Sequence, residues 1–225
     1  METHQLQPQR GPNPGITAIV FTILFNAGLS FVISLSGKPP YYPGPWETAQ
    51  IIETYFRNHA HEVLLCGFFQ FIAAVPLGIL TVTFTSRLRF LGNQSPGPYI
   101  ALFGGLLTVV NLALSALILW VMAFPGIAQN GDVLRTLYYL GFAIGGAGYS
   151  VPLGLLIAGV AVSSGFMKIL PRWLVISGVV LAFIGEASCL SLVFPKLLPL
   201  IPLTRFPGFI WLIIAGFKLP RKLPV

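Results

Sequence analysis

Tyr99-Ile-Ala-Leu-Phe-Gly-Gly-Leu-Leu-Thr-Val-Val-Asn-Leu-Ala-Leu-Ser-Ala-Leu-Ile-Leu-Trp-Val-Met-Ala123 runs without one charged side chain. At a rise of about 1.5 Å per residue, a helix of this length crosses a hydrocarbon core of about 30 Å. Alternation with a period of two residues is absent, which argues against a barrel strand. Five further apolar segments read the same way, at about 16–36, 63–85, 137–163, 174–194 and 200–217, with the quoted one at 99–123. The whole chain agrees: 225 residues, 55% hydrophobic, 8% charged, mean hydropathy +0.83. A soluble domain carries about 25% charged residues. A soluble enzyme, a nucleic-acid binder and a disordered chain are therefore excluded. The expected fold is all-α: a polytopic transmembrane helical bundle of six spans forming one membrane domain over 1–225, in contact with the lipid bilayer.

The net charge is +7, which fits flanks facing anionic headgroups. Arg10, Arg87, Arg89, Lys168, Arg172, Lys218, Arg221 and Lys222 gather on one side of the expected membrane. Lys38, Arg57, Arg135, Lys196 and Arg205 gather on the other. Eight against five predicts that the first side is cytoplasmic, so that both termini, including a 1–15 tail, lie inside. The first apolar run is too long for the core of a signal peptide, so an uncleaved first span is expected despite the cleavage-like Ser34-Leu35-Ser36. Cys66 and Cys189 are the two cysteines and form no CxxC, which excludes a disulfide scaffold, a zinc ribbon and a thioredoxin-like motif.

The longest loop begins Lys38-Pro-Pro-Tyr-Tyr-Pro-Gly-Pro45, whose prolines forbid a helix. Beyond it, Trp46, Ala49, Ile52, Phe56 and His59 recur at helical spacing, so an extracytoplasmic helix is expected over 46–61. Two placements fit: an interfacial helix with Trp46 and Tyr55 at headgroup depth, or a lid over an outward-facing cavity. His59 and His61 are two residues apart and point in different directions on a helix, so no metal site and no cofactor is expected.

Polar residues in hydrocarbon need partners. The candidates are Gln70 at about 10 Å from the outer boundary, Glu186 at about 12 Å, Asn26 at about 15 Å, and Asn111 and Tyr149 at about 18 Å. Stripes of small residues mark packing faces: Gly104, Thr108, Asn111 and Ser115; Cys66, Gln70, Ala74, Gly78, Thr81 and Thr85; Gly178, Ala182, Gly185 and Cys189. Glu186 lies beside the last stripe and is the one acid well inside a span, which makes it a functional candidate. Too few residues separate Arg205 from Lys218 to span a bilayer, so the sixth helix begins before Arg205 and carries it into the outer layer. Arg205 then either pairs with Glu186 or snorkels to the headgroups. Val75-Pro-Leu-Gly78 and Val151-Pro-Leu-Gly154 echo one another, and each proline frees the carbonyl four residues back, at Ile72 and Gly148.

Leu170-Pro-Arg-Trp-Leu174, which opens span five, and Trp211-Leu-Ile-Ile-Ala-Gly-Phe-Lys218, which closes span six, resemble a family of six-span bacterial integral membrane proteins known as a domain of unknown function. The resemblance implies a bacterial inner membrane and brings no activity with it. Three classes of function remain open. The polar layer can bind or move a small apolar or amphipathic molecule. A membrane-embedded enzyme can use Glu186 as general acid or base. An accessory or structural subunit needs no ligand. The first is the preferred reading; neither the ligand nor the oligomeric state is legible in the residues.

Overall fold

The computed structural model describes residues 11–33 and 41–222. The tail with Arg10, the Ser34-Leu35-Ser36 segment and Lys38 lie outside the described residues. The helices are α1 (Pro14–Val32), α2 (Ala49–Asn58), α3 (Ala60–Phe90), α4 (Gly97–Met122), α5 (Pro125–Ala128), α6 (Gly131–Gly145), α7 (Ala147–Phe166), α8 (Arg172–Ala187) and α9 (Leu200–Lys218). Six segments are long and apolar enough to cross a membrane, one of them built from α6 and α7 together. The chain is an all-α polytopic membrane bundle with the described ends of α1 and α9 on one face.

Local chemistry sets the helix starts. Asn13 caps α1 through a 3.0 Å bond from the Gly15 N–H to its side chain, with Pro14 in the first turn. Asn130 caps α6 by accepting from Val133 N at 3.2 Å. Inside the bundle, α4 packs between α3 and α7, α1 against α3 and α9, and α8 against α7 and α9. Small residues permit the close crossings. A Cβ on Gly104 would lie 2.6 Å from Leu155 Cβ and 2.7 Å from the Pro152 carbonyl oxygen, so α4 and α7 approach there at a distance only glycine allows. The stripe on α8 holds through Gly178, Ala182 and Gly185, all buried. Cys189 is exposed, because α8 ends at Ala187 and a 3₁₀ turn over Ser188–Leu192 rotates it away.

The main core gathers Phe21, Phe25, Leu77, Leu80, Leu153 and Phe209. A second buried cluster lies at the opposite end from the N-terminus of α1, where Ile52, Tyr55 and Phe56 of α2 meet Val63, Leu119, Leu134 and Tyr138. The loop helix is shorter than its spacing predicts. Trp46 precedes it and is 73% exposed, while Tyr55 is buried and donates to the Val32 carbonyl at 2.9 Å. With Ile52 and Phe56 fully buried, α2 covers the end of the bundle. Its polar face is tied down by Arg57 to Glu53 at 3.4 Å, Arg135 to Glu53 at 3.5 Å, and Arg57 Nε to the Ala128 carbonyl at 3.2 Å.

Candidate functional site

The fourth span breaks in its middle, where the sequence reads as one helix over 137–163. At Gly146 the backbone turns to φ −87°, ψ −104°, and an added Cβ would lie 2.5 Å from the Phe142 carbonyl oxygen. Beyond the break, the N–H groups of both Tyr149 and Ser150 donate to the Gly146 carbonyl, at 3.2 and 3.0 Å. In an unbroken helix Tyr149 would donate to Gly145. The Gly145 carbonyl is thus left free at the C-terminal, partially negative end of α6. Arg205 of α9 fills the gap: its Nη2 donates to that oxygen. One turn further along, Pro152 has no N–H to offer Gly148, and Asn111 Nδ2 of α4 donates to the Gly148 carbonyl instead. Two backbone oxygens, freed by a glycine break and a proline, are each met by a side chain from a neighbouring helix.

The Arg205 guanidinium also lies over two rings, 4.8 Å from the Tyr149 centroid and 5.3 Å from the Phe25 centroid. Its Nε is buried and has no hydrogen-bond partner. Among the described residues no carboxylate comes within 4.0 Å of it. The pair with Glu186, one of the two expectations for Arg205, does not form; the guanidinium turns to the Gly145 carbonyl and the two rings. The reason is side-chain direction: a Cβ added to Gly185 would lie 3.1 Å from Thr204, but Arg205 turns to the Gly145 carbonyl and Glu186 to α7. Glu186 on α8 packs against Gly154 of α7, where an added Cβ would lie 3.3 Å from its Oε1. Glu186 Oε1 is buried there without a hydrogen-bond partner.

A cavity of about 230 Å³ opens beside Arg205, between α1, α3, α4, α6 and α9. Its polar lining includes Gln70, Ser115, Tyr138 and Arg205, and its walls include Leu29, Val32 and Phe142. Gln70 is buried and its Nε2 meets only the weak acceptor Cys66 Sγ at 3.5 Å. Tyr42 closes the end nearest α2. The Tyr138 hydroxyl donates to the Pro43 carbonyl at 2.7 Å and so pins the 41–46 strap over the cavity. Burial raises the Tyr42 hydroxyl well above its usual pKa, helped by the neighbouring Tyr138, and pushes Tyr55 up to about 12. Both phenols of this cover therefore stay neutral at physiological pH.

No family model, curated protein or solved structure matches this chain.

The six residues singled out in the sequence separate into groups. Arg205 and Gln70 line the cavity. Tyr149, fully buried with a partnerless hydroxyl, forms the floor under Arg205, and Asn111 braces the kinked turn beside it. Glu186 belongs to the α7–α8 seam. Asn26 is not in the layer at all: it is exposed on α1 and bonds back to the Thr22 carbonyl of its own helix at 2.8 Å. Depth placed it with the others, but helix phase turns it outward. Sequence reasoning missed the break and the roles of Tyr42 and Tyr138. The run Gly145-Gly-Ala-Gly148 carried the signal for the break, since clustered glycines are poor helix formers and interrupted spans mark binding sites.

Proposed function

We propose that this membrane protein is not an enzyme and that it binds or moves a small amphipathic molecule, using the cavity beside Arg205 and Gln70. The observation that carries this reading is an open volume inside the bundle, lined by one cation, one buried amide and aliphatic walls, at a broken span. Ligand pockets combine mostly apolar lining with a few placed polar groups. Interrupted helices supply such sites in membrane carriers. An accessory subunit has no need of an internal cavity. An enzyme built on Glu186 has less support, because that carboxylate does not line this cavity and its buried oxygen has no partner to relay a proton.

The Lys and Arg distribution supports cytoplasmic termini, and the resemblance in the C-terminal hairpin supports a bacterial inner membrane. The test is organic extraction of the purified protein followed by mass spectrometry. A small molecule should co-purify with the wild type and be depleted in Leu29→Trp, which enlarges the cavity wall. Extracts of the two proteins that differ in nothing but bulk lipid would overturn the reading.

A further inference from the structure

Arg205 is the residue whose electrostatics are incomplete. One carbonyl and two aromatic faces meet it, and each contributes only a partial negative charge. A cation in the apolar layer of a bundle is costly without a full counter-charge. Neither Glu186 nor any other described carboxylate lies within 4.0 Å to supply one. The other polar group with spare capacity on the same cavity is the Gln70 amide.

The cavity also shares a boundary with a second one. Ile33, Tyr42, Phe142 and Ile201 line both it and a second, larger groove of about 760 Å³. That groove runs between the 41–46 strap and the segment Pro195–Pro202, and its lining is almost entirely apolar, with Trp46 and Leu198 on opposite walls. Polar chemistry thus lies on one side of these four shared residues and apolar surface on the other. A dry apolar cavity of about 150 Å³ holds a benzene ring. By that scale the inner chamber of about 230 Å³ takes roughly nine heavy atoms in all, head included, so the end of a ten-carbon chain must continue into the groove.

We infer that the ligand is a single-chain carboxylate, with its acidic head against Arg205 and its apolar chain passing Ile201 and Phe142 into the groove beside Trp46. This inference rests on the binding reading above and adds the charge and shape of the ligand. A carboxylate matches one guanidinium in charge and in its two acceptor oxygens. Gln70 can donate to the same head. A neutral amphiphile would leave Arg205 without a counter-charge, and a cationic one would be repelled by it.

The test uses the purified full chain in detergent. Tritiated decanoate is bound by scintillation proximity and displaced with unlabelled decanoate or decanol, which share a chain and differ in charge. Decanoate should bind saturably, with decanol weaker by about tenfold or more, the scale of one charge-assisted hydrogen bond. Arg205→Gln should remove that discrimination while Arg205→Lys keeps most of it. The wild-type comparison decides the matter even where Arg205→Gln does not fold. Decanoate brominated at its far end should quench tryptophan fluorescence, and Trp46→Phe should abolish most of the quenching; unchanged quenching overturns the path of the chain. Equal displacement by decanol overturns the carboxylate inference and leaves the binding reading standing. No saturable decanoate binding, with a different molecule in the wild-type extract, overturns the inference alone. No binding and an empty extract overturn the binding reading itself.

Discussion

Glu186 packs into the α7–α8 seam with its Oε1 buried and unpartnered, while Arg205 is held elsewhere by the Gly145 carbonyl. Removing one member of a buried ion pair costs about 3–5 kcal/mol. Because no such pair exists here, Glu186→Gln is expected to cost less than about 1 kcal/mol, the scale of one ordinary hydrogen bond. Thermal unfolding in detergent checks this; a loss of several kcal/mol would reveal a partner for the carboxylate. Tyr55 is the opposite case, a buried hydroxyl with a partner, the Val32 carbonyl at 2.9 Å. Tyr55→Phe should destabilise by about 1 kcal/mol. Burial raises Tyr55 to about 12, so the folded state holds this proton more tightly than the unfolded chain does. The resulting stabilisation is complete below the unfolded value of about 10 and is lost as pH rises through 12. The stability difference between wild type and Tyr55→Phe should therefore shrink across that window, and a difference independent of pH would contradict the assignment.

At the scale of elements, the two Val-Pro-Leu-Gly echoes carry different loads. In α7, Pro152 frees the Gly148 carbonyl for Asn111, and Gly154 gives α8 its approach: a Cβ there would lie 3.0 Å from the Ala182 carbonyl oxygen. In α3, a Cβ on Gly78 would meet nothing closer than Val109 at 3.9 Å. Gly78→Ala should therefore be neutral or stabilising by up to about 1 kcal/mol, the ordinary helix gain. Gly104→Ala faces the tight α4–α7 crossing and should cost about 1–3 kcal/mol through overpacking. Unfolding of the two variants side by side tests which crossings set the spacing of the bundle. Equal effects would mean that α4 and α7 can separate freely. The same crossings position Asn111 and Ser115 of α4 beside the broken span, so the packing of small residues also shapes the cavity.

For the whole molecule, burial of Arg205 changes the charge balance between the two ends. Among the described residues, Arg87, Arg89, Lys168, Arg172, Lys218, Arg221 and Lys222 lie at one end, seven in all, and Arg57, Arg135 and Lys196 at the other. Two of those three are engaged by acids, Arg57 with Glu53 and Arg135 with Glu53 and Asp132. Over the full sequence, setting Arg205 aside changes the count from eight against five to eight against four, which favours the end with Arg87 and Arg172 in the cytoplasm. In a Cys189→Ser background, with Cys66 buried, an impermeant maleimide added to intact cells should label a cysteine placed at Thr48 and spare one placed at Gln94. The reverse pattern would invert the orientation.

The amino-acid sequence alone determined the six spans, the existence of the loop helix, the inward faces marked by Gly104, Gly178 and Gly185, and the carbonyl that Pro152 sets free. These features follow from hydropathy, helical period and missing donors, all of which act within one helix and repeat every few residues. Tertiary structure decided which partner each polar group meets: Gly148 for Asn111, Gly145 for Arg205, none for Glu186, and its own helix for Asn26. Depth along a span can be counted from a sequence, but two groups at similar depth meet only if helix phase and register bring them together. Those are fixed by close crossings between helices distant in the chain. The break at Gly146 gives Arg205 a backbone acceptor beside the cavity, while Glu186 turns to Gly154.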